Sequence, residues 1–251
     1  MMPMIELKDI SFSYDGRKKI IHDVSISFDS EIVALCGPNG SGKTTLLKII
    51  SQIIRNYTGK VMIYDRNIRE LSSKELAATI SFVSSDVSTP FDFKVIDILL
   101  MGRISHINFF SYYSEDDYSA VLKVAKETGI EDLINRNFLE LSSGERELVL
   151  LSQSFVQNSP VIVMDEPFLH LDLKHKLLLL KIFRDYVYKK NGCGVIVLHD
   201  LRIAEKFCDS IVFIKEGKVV EKMKASLMRQ KIELISEIYE VEKDKVKDFL
   251  L

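Results

Sequence analysis

Glycines, a lysine and a threonine are spaced in one segment as phosphate binding requires. Residues 37–44 read Gly-Pro-Asn-Gly-Ser-Gly-Lys-Thr, after an apolar run at 32–36 and before a helix-like segment at 44–50. Glycines let the backbone curl so that several amide N–H groups point at one anion. The following helix adds unpaired N–H groups and the positive end of its dipole. We expect Lys43 to reach the β- and γ-phosphates of a nucleotide and the Thr44 hydroxyl to bind Mg²⁺.

Two carboxylates, Asp165 and Glu166, end an apolar run at 161–164. Ligands of parallel sheets bind in the crevice at the carboxyl ends of the strands, which the phosphate-binding segment also faces. There Asp165 is expected to hold Mg²⁺, directly or through water, and Glu166 to polarise an attacking water. Alternatively, the two carboxylates mark only a solvated strand end. The apolar run before them and the glycine segment upstream disfavour this interpretation.

Two further places carry weaker signals. The segment 141–145, Leu-Ser-Ser-Gly-Glu, precedes a helix-like run, and by itself it predicts a helix cap at Ser142 or Ser143. His199 follows a second buried apolar run at 195–198. A single histidine at a strand end is more often structural than catalytic.

Strands are expected on both sides of these segments. Short strand patterns occur at 5–7, 10–14 and 24–28, with a turn at Asp15-Gly16, and the last two patterns alternate apolar and polar residues. The unalternated runs at 161–164 and 195–198 are typical of strands buried on both faces of a parallel sheet.

Helical patterns dominate from about 86 to 154, for example at 117–125 and 147–152. The charged C-terminal stretch from about 222 indicates a docked helix through Ile232, Leu234, Ile235 and Ile238. We therefore predict an α/β fold with a parallel sheet, an N-terminal antiparallel β-subdomain and an inserted α-helical subdomain.

The bulk composition is that of an ordinary globular protein. The 251 residues carry a net charge of −2, which gives no general attraction to nucleic acid or anionic lipid. Cys36, Cys193 and Cys208 are expected to be buried thiols of a reducing compartment rather than a disulfide or a metal site. The first residues lack a signal-peptide layout and no apolar run reaches bilayer length, so a cytosolic protein with any membrane role peripheral is expected.

The combination of motifs resembles the ATP-binding subunits of ABC (ATP-binding cassette) transporters, over nearly the whole chain. The resemblance matches Tyr14 to an adenine-stacking aromatic residue, 37–44 to the Walker A loop, 141–145 to the signature sequence LSGGQ, 161–166 to Walker B, Leu171-Asp172 to the end of the D-loop and His199 to the switch histidine.

That resemblance implies one nucleotide-binding domain over 1–251 with a P-loop NTPase core, a helical subdomain at about 86–154 and a C-terminal helical extension at about 222–251. Two copies would close head to tail over two ATP molecules. The residues expected to bind ATP are Tyr14, Gly37, Pro38, Asn39, Gly40, Ser41, Gly42, Lys43, Thr44 and Thr45 of one subunit and Ser142, Ser143, Gly144 and Glu145 of the other.

The resemblance also implies the chemistry and the partners. Glu166 would orient or deprotonate water, His199 would hold the γ-phosphate, and Lys43 would neutralise charge, while Thr44 and Asp165 would hold Mg²⁺. The helical subdomain would dock on integral membrane permease subunits at the cytoplasmic face of the membrane. A substrate-binding protein would act indirectly, and nucleic acid is not an expected partner.

A narrower resemblance concerns 91–103, 170–175 and 234–239, which are similar to segments of importer ATPases for iron–siderophore, haem and cobalamin. It predicts import of a metal chelate or a cobalamin-like ligand. The alternatives are an exporter ATPase, a cassette protein that acts on ribosomes or DNA, and a regulatory module that hydrolyses ATP poorly.

Several residues depart from the family pattern. Ser143 and Glu145 replace a glycine and a glutamine of the signature, and Phe168-Leu169 replaces small polar residues of the D-loop. Ser85 stands where the Q-loop glutamine is usual. Its side chain is too short for the same metal contact, so a bridging water or Asp86 is expected to substitute.

Overall fold

The structure, a computed structural model, describes residues 3–84, 92–107, 112–168 and 171–250. In chain order the elements are β1 (Ile5–Ser13), β2 (Lys19–Phe28), β3 (Ile32–Cys36), α1 (Lys43–Ile50), β4 (Thr58–Ile63), β5 (Arg66–Asn67), α2 (Ser73–Thr79), β6 (Ile80–Ser84), α3 (Val95–Met101), α4 (Glu115–Thr128), α5 (Ser143–Gln157), β7 (Val161–Asp165), α6 (Leu173–Lys189), β8 (Cys193–Val197), α7 (Leu201–Phe207), β9 (Ser210–Lys215), β10 (Lys218–Lys224), α8 (Ile232–Tyr239) and α9 (Lys243–Leu250). The first unit comprises Met1–Glu70 and Asn191–Leu251, and the second comprises Leu71–Lys190.

In the first unit, an antiparallel sheet has the strand order β2-β1-β4-β5. The patterns at 5–7 and 10–14 belong to one strand, β1, which corrects the prediction of two. Asp9 has a left-handed φ of 52°, and the register with β2 shifts between Leu7 and Ile10. This irregularity breaks the apolar–polar alternation but not the pairing, because β2 pairs with β1 on both sides of it.

Strand β3 lies at the centre of the second sheet of the same unit. It pairs in parallel with β8 on one side and with β9 on the other, and β10 continues antiparallel to β9. All residues of β3 and β8 are buried. The unalternated apolar runs therefore form buried parallel strands, as predicted.

In the second unit, β6 and β7 pair in parallel, so that Ile80 faces Val161 and Ser84 faces Asp165. The helical patterns at 117–125 and 147–152 lie within α4 and α5, which confirms both helices. The helical subdomain expected at about 86–154 falls inside this unit, and its boundaries stay a prediction.

The C-terminal stretch forms α8 and α9 in the first unit. Ile235 and Ile238 of α8 are buried, which confirms the docked helix at this place. Cys36, Cys193 and Cys208 are buried thiols. Across the described stretches, the helices are all too short or too polar to cross a membrane.

Some predictions fall on residues outside the described ranges. These residues are Ser85 and Asp86 of the altered Q-loop, Phe91, and Leu169 and His170 near the D-loop.

Candidate nucleotide-binding site

The loop between β3 and α1 takes a path that side chains would block. Gly37, Gly40 and Gly42 have φ angles of 147°, 75° and 101°, a region that L-residues rarely adopt. A Cβ atom on Gly37 would lie 2.0 Å from the carbonyl oxygen of Ile214. The glycine spacing is therefore a structural requirement of this loop, which we call the phosphate loop (37–44).

Helix α1 begins at the end of the phosphate loop without a side-chain cap. Its N-cap residue is Gly42, which has no side chain to accept a hydrogen bond, and no acidic residue lies in the first turn. The N-terminal N–H groups of a helix carry a partial positive charge. An N-terminus with no acidic residue in its own first turn is suited to bind an anion.

Lys43 places a positive charge beneath the phosphate loop. Its side chain is buried, and Nζ donates to the carbonyl oxygens of Gly37 at 2.9 Å and Pro38 at 2.8 Å. Burial raises the pKa of the neighbouring Cys36 thiol to about 12, while the Lys43 charge acts in the opposite direction. The ammonium group is thus fixed at the loop, where it is able to meet phosphate oxygens.

Tyr14 lies directly after β1 and presents a ring beside α1. The side chain is 65% exposed, its hydroxyl is 3.3 Å from Thr45 Oγ1, and its ring meets Phe12 edge to face at 4.7 Å. An exposed aromatic ring next to a phosphate loop has the geometry to stack on a nucleobase.

A hairpin turn that the sequence analysis did not connect with the site also supports the loop. The N–H group of Gly217, between β9 and β10, donates to Ser41 O at 2.9 Å. A Cβ atom on Gly217 would lie 2.1 Å from Ile20 O. Glu216 and Gly217 have left-handed φ angles of 51° and 73°, as a tight hairpin turn requires, but nothing in their sequence indicates the contact with the loop.

The second unit carries the acidic pair. Asp165 ends the buried strand β7, and Glu166 follows with a left-handed φ of 51°. This conformation costs on the order of 1 kcal/mol for a residue other than glycine, and such strain clusters at functional sites. The backbone thus turns at Glu166, directly after the strand.

The signature segment caps α5 through two of its own side chains. Ser142 Oγ accepts from the N–H of Glu145 at 3.3 Å, and Glu145 Oε2 accepts from the N–H of Ser142 at 2.8 Å. The capping residue is therefore Ser142 rather than Ser143. These hydrogen bonds from Ser142 hold the pKa of Glu145 below its ordinary value, and Arg136 lies 3.4 Å from the other carboxylate oxygen.

His199 is exposed and lies between β8 and α7 in the first unit. Asp200, the next residue, caps α7 by accepting from the N–H groups of Arg202 and Ile203. In the second unit, Asp172 of the D-loop caps α6 by accepting from the N–H of His175 at 2.9 Å. Among the predicted site residues, Tyr14, the phosphate loop and His199 belong to the first unit, and the acidic pair and the signature segment belong to the second.

Known proteins with similar sequences are named as ATP-binding proteins of ABC transporters or of import systems. The family model described as ABC transporter matches residues 21–169. An iron(3+)-hydroxamate import ATP-binding protein of Bacillus subtilis is 29% identical over 245 residues, with 94% of this chain and 90% of that protein covered. A cobalamin import ATP-binding protein of Halobacterium salinarum is 34% identical over 202 residues, with 80% of this chain and 50% of that protein covered.

Solved structures share the fold. An ATP-binding subunit of an ABC transporter superposes with a TM-score of 0.78 at 24% identity, with 98% and 99% of the two chains covered. A dimeric ATP-binding cassette in a post-hydrolysis state with ADP and Pi superposes with a TM-score of 0.77 at 24% identity, with 88% and 99% covered. The expected P-loop NTPase fold is confirmed. By its sequence, its fold and the family match over more than half of its length, the chain belongs to the ABC transporter family, as one of its ATP-binding subunits.

Proposed function

We propose that this chain hydrolyses ATP to power import of a metal chelate, such as siderophore-bound iron or haem, or of a cobalamin-like ligand. The observation that carries the ATPase part is the uncapped N-terminus of α1 beside the buried Lys43. Relatives named for iron(3+)-hydroxamate and cobalamin import support the class of cargo.

In the proposed site, each ATP lies between the phosphate loop of one subunit and Ser142 to Glu145 of a second copy. A dimeric cassette of the same fold supports this assembly. Tyr14 stacks on the adenine, and Lys43 together with the loop N–H groups neutralises the phosphates. Completion of the site only in the closed dimer couples hydrolysis to movement.

Thr44 and Asp165 carry oxygen ligands of the kind that Mg²⁺ prefers. Thr44 provides a hydroxyl oxygen at the start of α1, and Asp165 provides a carboxylate at the end of β7. Bound there, the ion would supply charge neutralisation. Glu166 orients or deprotonates the attacking water, and His199 contacts the γ-phosphate.

The membrane partners are inferred from membership of the ABC transporter family and not from an observed contact of this chain. We infer that the subunit binds permease subunits at the cytoplasmic face of the membrane through the helical subdomain at about 86–154. A substrate-binding protein then takes part only through the permease.

The catalytic assignment is tested with Glu166→Gln. We expect ATP to bind with wild-type affinity and to trap the dimer, while phosphate release falls by about a hundredfold or more. Glu127→Gln, on the exposed side of α4, removes an equal charge and should leave turnover unchanged. Wild-type turnover of the Glu166 variant would refute this residue as the catalytic carboxylate.

The transport assignment is tested by purification of the tagged chain from gently solubilised native membranes. A polytopic membrane protein in stoichiometric amount supports a transporter, and an accompanying binding protein that takes up an iron chelate or cobalamin supports import. Recovery with ribosomal or regulatory proteins instead would contradict the proposal.

A further inference from the structure

A series of contacts joins the C-terminal helix α9 to the segment that follows β8. Asp200, the residue after His199, caps α7, and its Oδ1 atom accepts from the N–H groups of Arg202 at 2.9 Å and Ile203 at 3.4 Å. Arg202 Nε also lies 3.4 Å from this oxygen. The guanidinium carbon of Arg202 is 4.7 Å from the centre of the Phe249 ring, near the end of α9. A cation at this distance is attracted by the quadrupole of an aromatic ring.

His199 stands between two anchored residues of the first unit. On one side, the Leu198 N–H donates to Leu35 O of β3 at 3.2 Å, and β3 leads directly into the phosphate loop. On the other side, Asp200 is bound to the first turn of α7. His199 therefore lies at the same edge of the sheet as the phosphate loop, and its position depends on both anchors.

The two anchors differ in their exposure to water. Leu198 is buried, whereas the Asp200 carboxylate and the Arg202 guanidinium are at the surface. An ion pair between exposed groups contributes little by itself, because ordering two side chains offsets most of the attraction. A guanidinium that is already held over the Phe249 ring loses less rotamer freedom when it also bonds Asp200. The ring thus strengthens the weaker of the two anchors.

Helix α9 is held in the first unit by residues other than Phe249. Val246 and Leu250 are buried, and Lys243 Nζ lies 2.6 Å from Glu233 Oε1 of α8. Phe249, by contrast, is 46% exposed. A substitution of Phe249 therefore removes the contact with Arg202 without emptying the core.

We propose that Arg202 is a positioning residue for His199 and that Phe249 holds it in place, so that the docking of α9 tunes ATP turnover. The inference rests on the proposed contact of His199 with the γ-phosphate. Arg202 acts through Asp200, which fixes the backbone on one side of His199. A small misplacement of a group that contacts the reacting phosphate lowers the rate, whereas binding of the rest of the nucleotide to the phosphate loop is preserved.

The test is a double-mutant cycle of Phe249→Leu and Arg202→Ala. Leucine keeps an apolar side chain but has no aromatic face. We expect each single variant to lower kcat for phosphate release about threefold, the effect of one exposed cation–π contact, with the Kd for ADP unchanged. Because Phe249 acts through Arg202, the double variant should be no slower than Arg202→Ala alone. A further threefold loss in the double variant, or a wild-type kcat in both single variants, would overturn the inference.

Arg184→Ala is the matched control. The Arg184 guanidinium carbon lies 5.4 Å from the centre of the Tyr188 ring, on the exposed side of α6 in the second unit. Loss of this contact should leave kcat unchanged, whatever its effect on the unfolding temperature. If Phe249→Leu also lowered the unfolding temperature and kept the wild-type kcat, Phe249 would only support the fold, which would overturn the inference.

Two further variants keep the test decisive. Phe249→Tyr retains the ring and should keep the wild-type kcat, and Phe249→Met, with its adaptable side chain, replaces Phe249→Leu if that variant does not fold. His199→Ala separates the two proposals. Near wild-type turnover of His199→Ala would refute the role of His199 itself. Slow turnover of His199→Ala together with a wild-type kcat of Phe249→Leu and Arg202→Ala would refute only the link to α9.

Discussion

The helices α1 and α5, which begin next to proposed phosphate contacts, differ in how their N-termini are capped. Helix α1 follows Gly42, has no side-chain cap and carries Lys43 as its first residue. Helix α5 follows Ser142, which exchanges hydrogen bonds with Glu145. The first turn of α1 therefore contributes no acidic side chain to the positive end of that helix, whereas α5 holds the Glu145 carboxylate at its own.

This difference suggests that the phosphate loop and the signature segment have different roles. In the proposed site, the phosphate loop with Lys43 binds ATP within one subunit. In the proposed dimer, a phosphate held by a second copy would meet the Glu145 carboxylate at the signature segment, so binding there would gain less free energy. We therefore expect changes in the phosphate loop to alter ATP affinity most, and changes in the signature segment to alter turnover.

The largest effect on ATP affinity is expected from Lys43→Ala. Loss of a charge-assisted contact to phosphate should weaken ATP binding by at least about tenfold, measured by calorimetry. Lys48→Ala, in the last turn of the same helix, is the control and should bind ATP like the wild type. Lys43 also bonds two loop carbonyls, so the unfolding temperature has to be measured alongside. Unchanged affinity in a folded Lys43→Ala variant would undo the assignment of the phosphate loop.

An intermediate effect is expected from Ser142→Ala, which is best compared with Ser114→Ala. Ser114 caps α4 with Asp117 in the same way that Ser142 caps α5 with Glu145. Each substitution removes one cap and should lower the free energy of unfolding by about 1 kcal/mol. Only Ser142→Ala should also reduce ATP turnover, measured by phosphate release. Equal turnover in both variants would mean that Ser142 is a cap and nothing more.

The sequence is informative where a local pattern has one structural solution. The glycines of the phosphate loop and the buried runs at 161–164 and 195–198 predicted the loop and the parallel strands, because only glycine tolerates φ angles such as 147° and only doubly buried strands lack alternation. At 141–145 the pattern allowed two caps. Which serine faces the N–H of the third helical residue depends on where the helix starts, and the sequence does not fix that to one residue.

Contacts between distant segments were beyond the sequence analysis. Nothing in the residues around Gly217 indicates that this turn lies against the phosphate loop, because side-chain periodicity reports which face is buried and not what covers it. The conformation of Asp9 explains why one strand was predicted as two, since a left-handed residue interrupts the alternation of a continuous strand. The roles of the individual site residues remain predictions, which the variants above test.

The smallest effect, and the sharpest test of the contrast between the two helix starts, is expected from Glu145→Gln. Glutamine is also found at this position of capping boxes, so the cap should persist while the negative charge is lost. If that charge opposes the phosphate of a second copy, the variant should show a KM for ATP that is about twofold lower. A KM that is unchanged or higher would mean that Arg136, 3.4 Å from the carboxylate, already offsets the charge or that phosphate does not approach α5.

The pH dependence of the free energy of unfolding distinguishes the contribution of the Glu145 charge from that of the cap geometry. The pKa of Glu145 is lowered in the folded protein by hydrogen bonds from Ser142, so its ionised form stabilises the fold above the ordinary value of 4.5. This contribution is lost as the pH falls through the lower folded value. At pH 7 Glu145→Gln should therefore be less stable than the wild type by about 0.5 kcal/mol in urea unfolding. The difference in stability between the wild type and Glu145→Gln should shrink below pH 4.5. The Ser114–Asp117 cap is present in both proteins, so its own titration cancels from the comparison. A difference that stays constant with pH would assign the loss of stability to the geometry of the cap and not to the charge of Glu145.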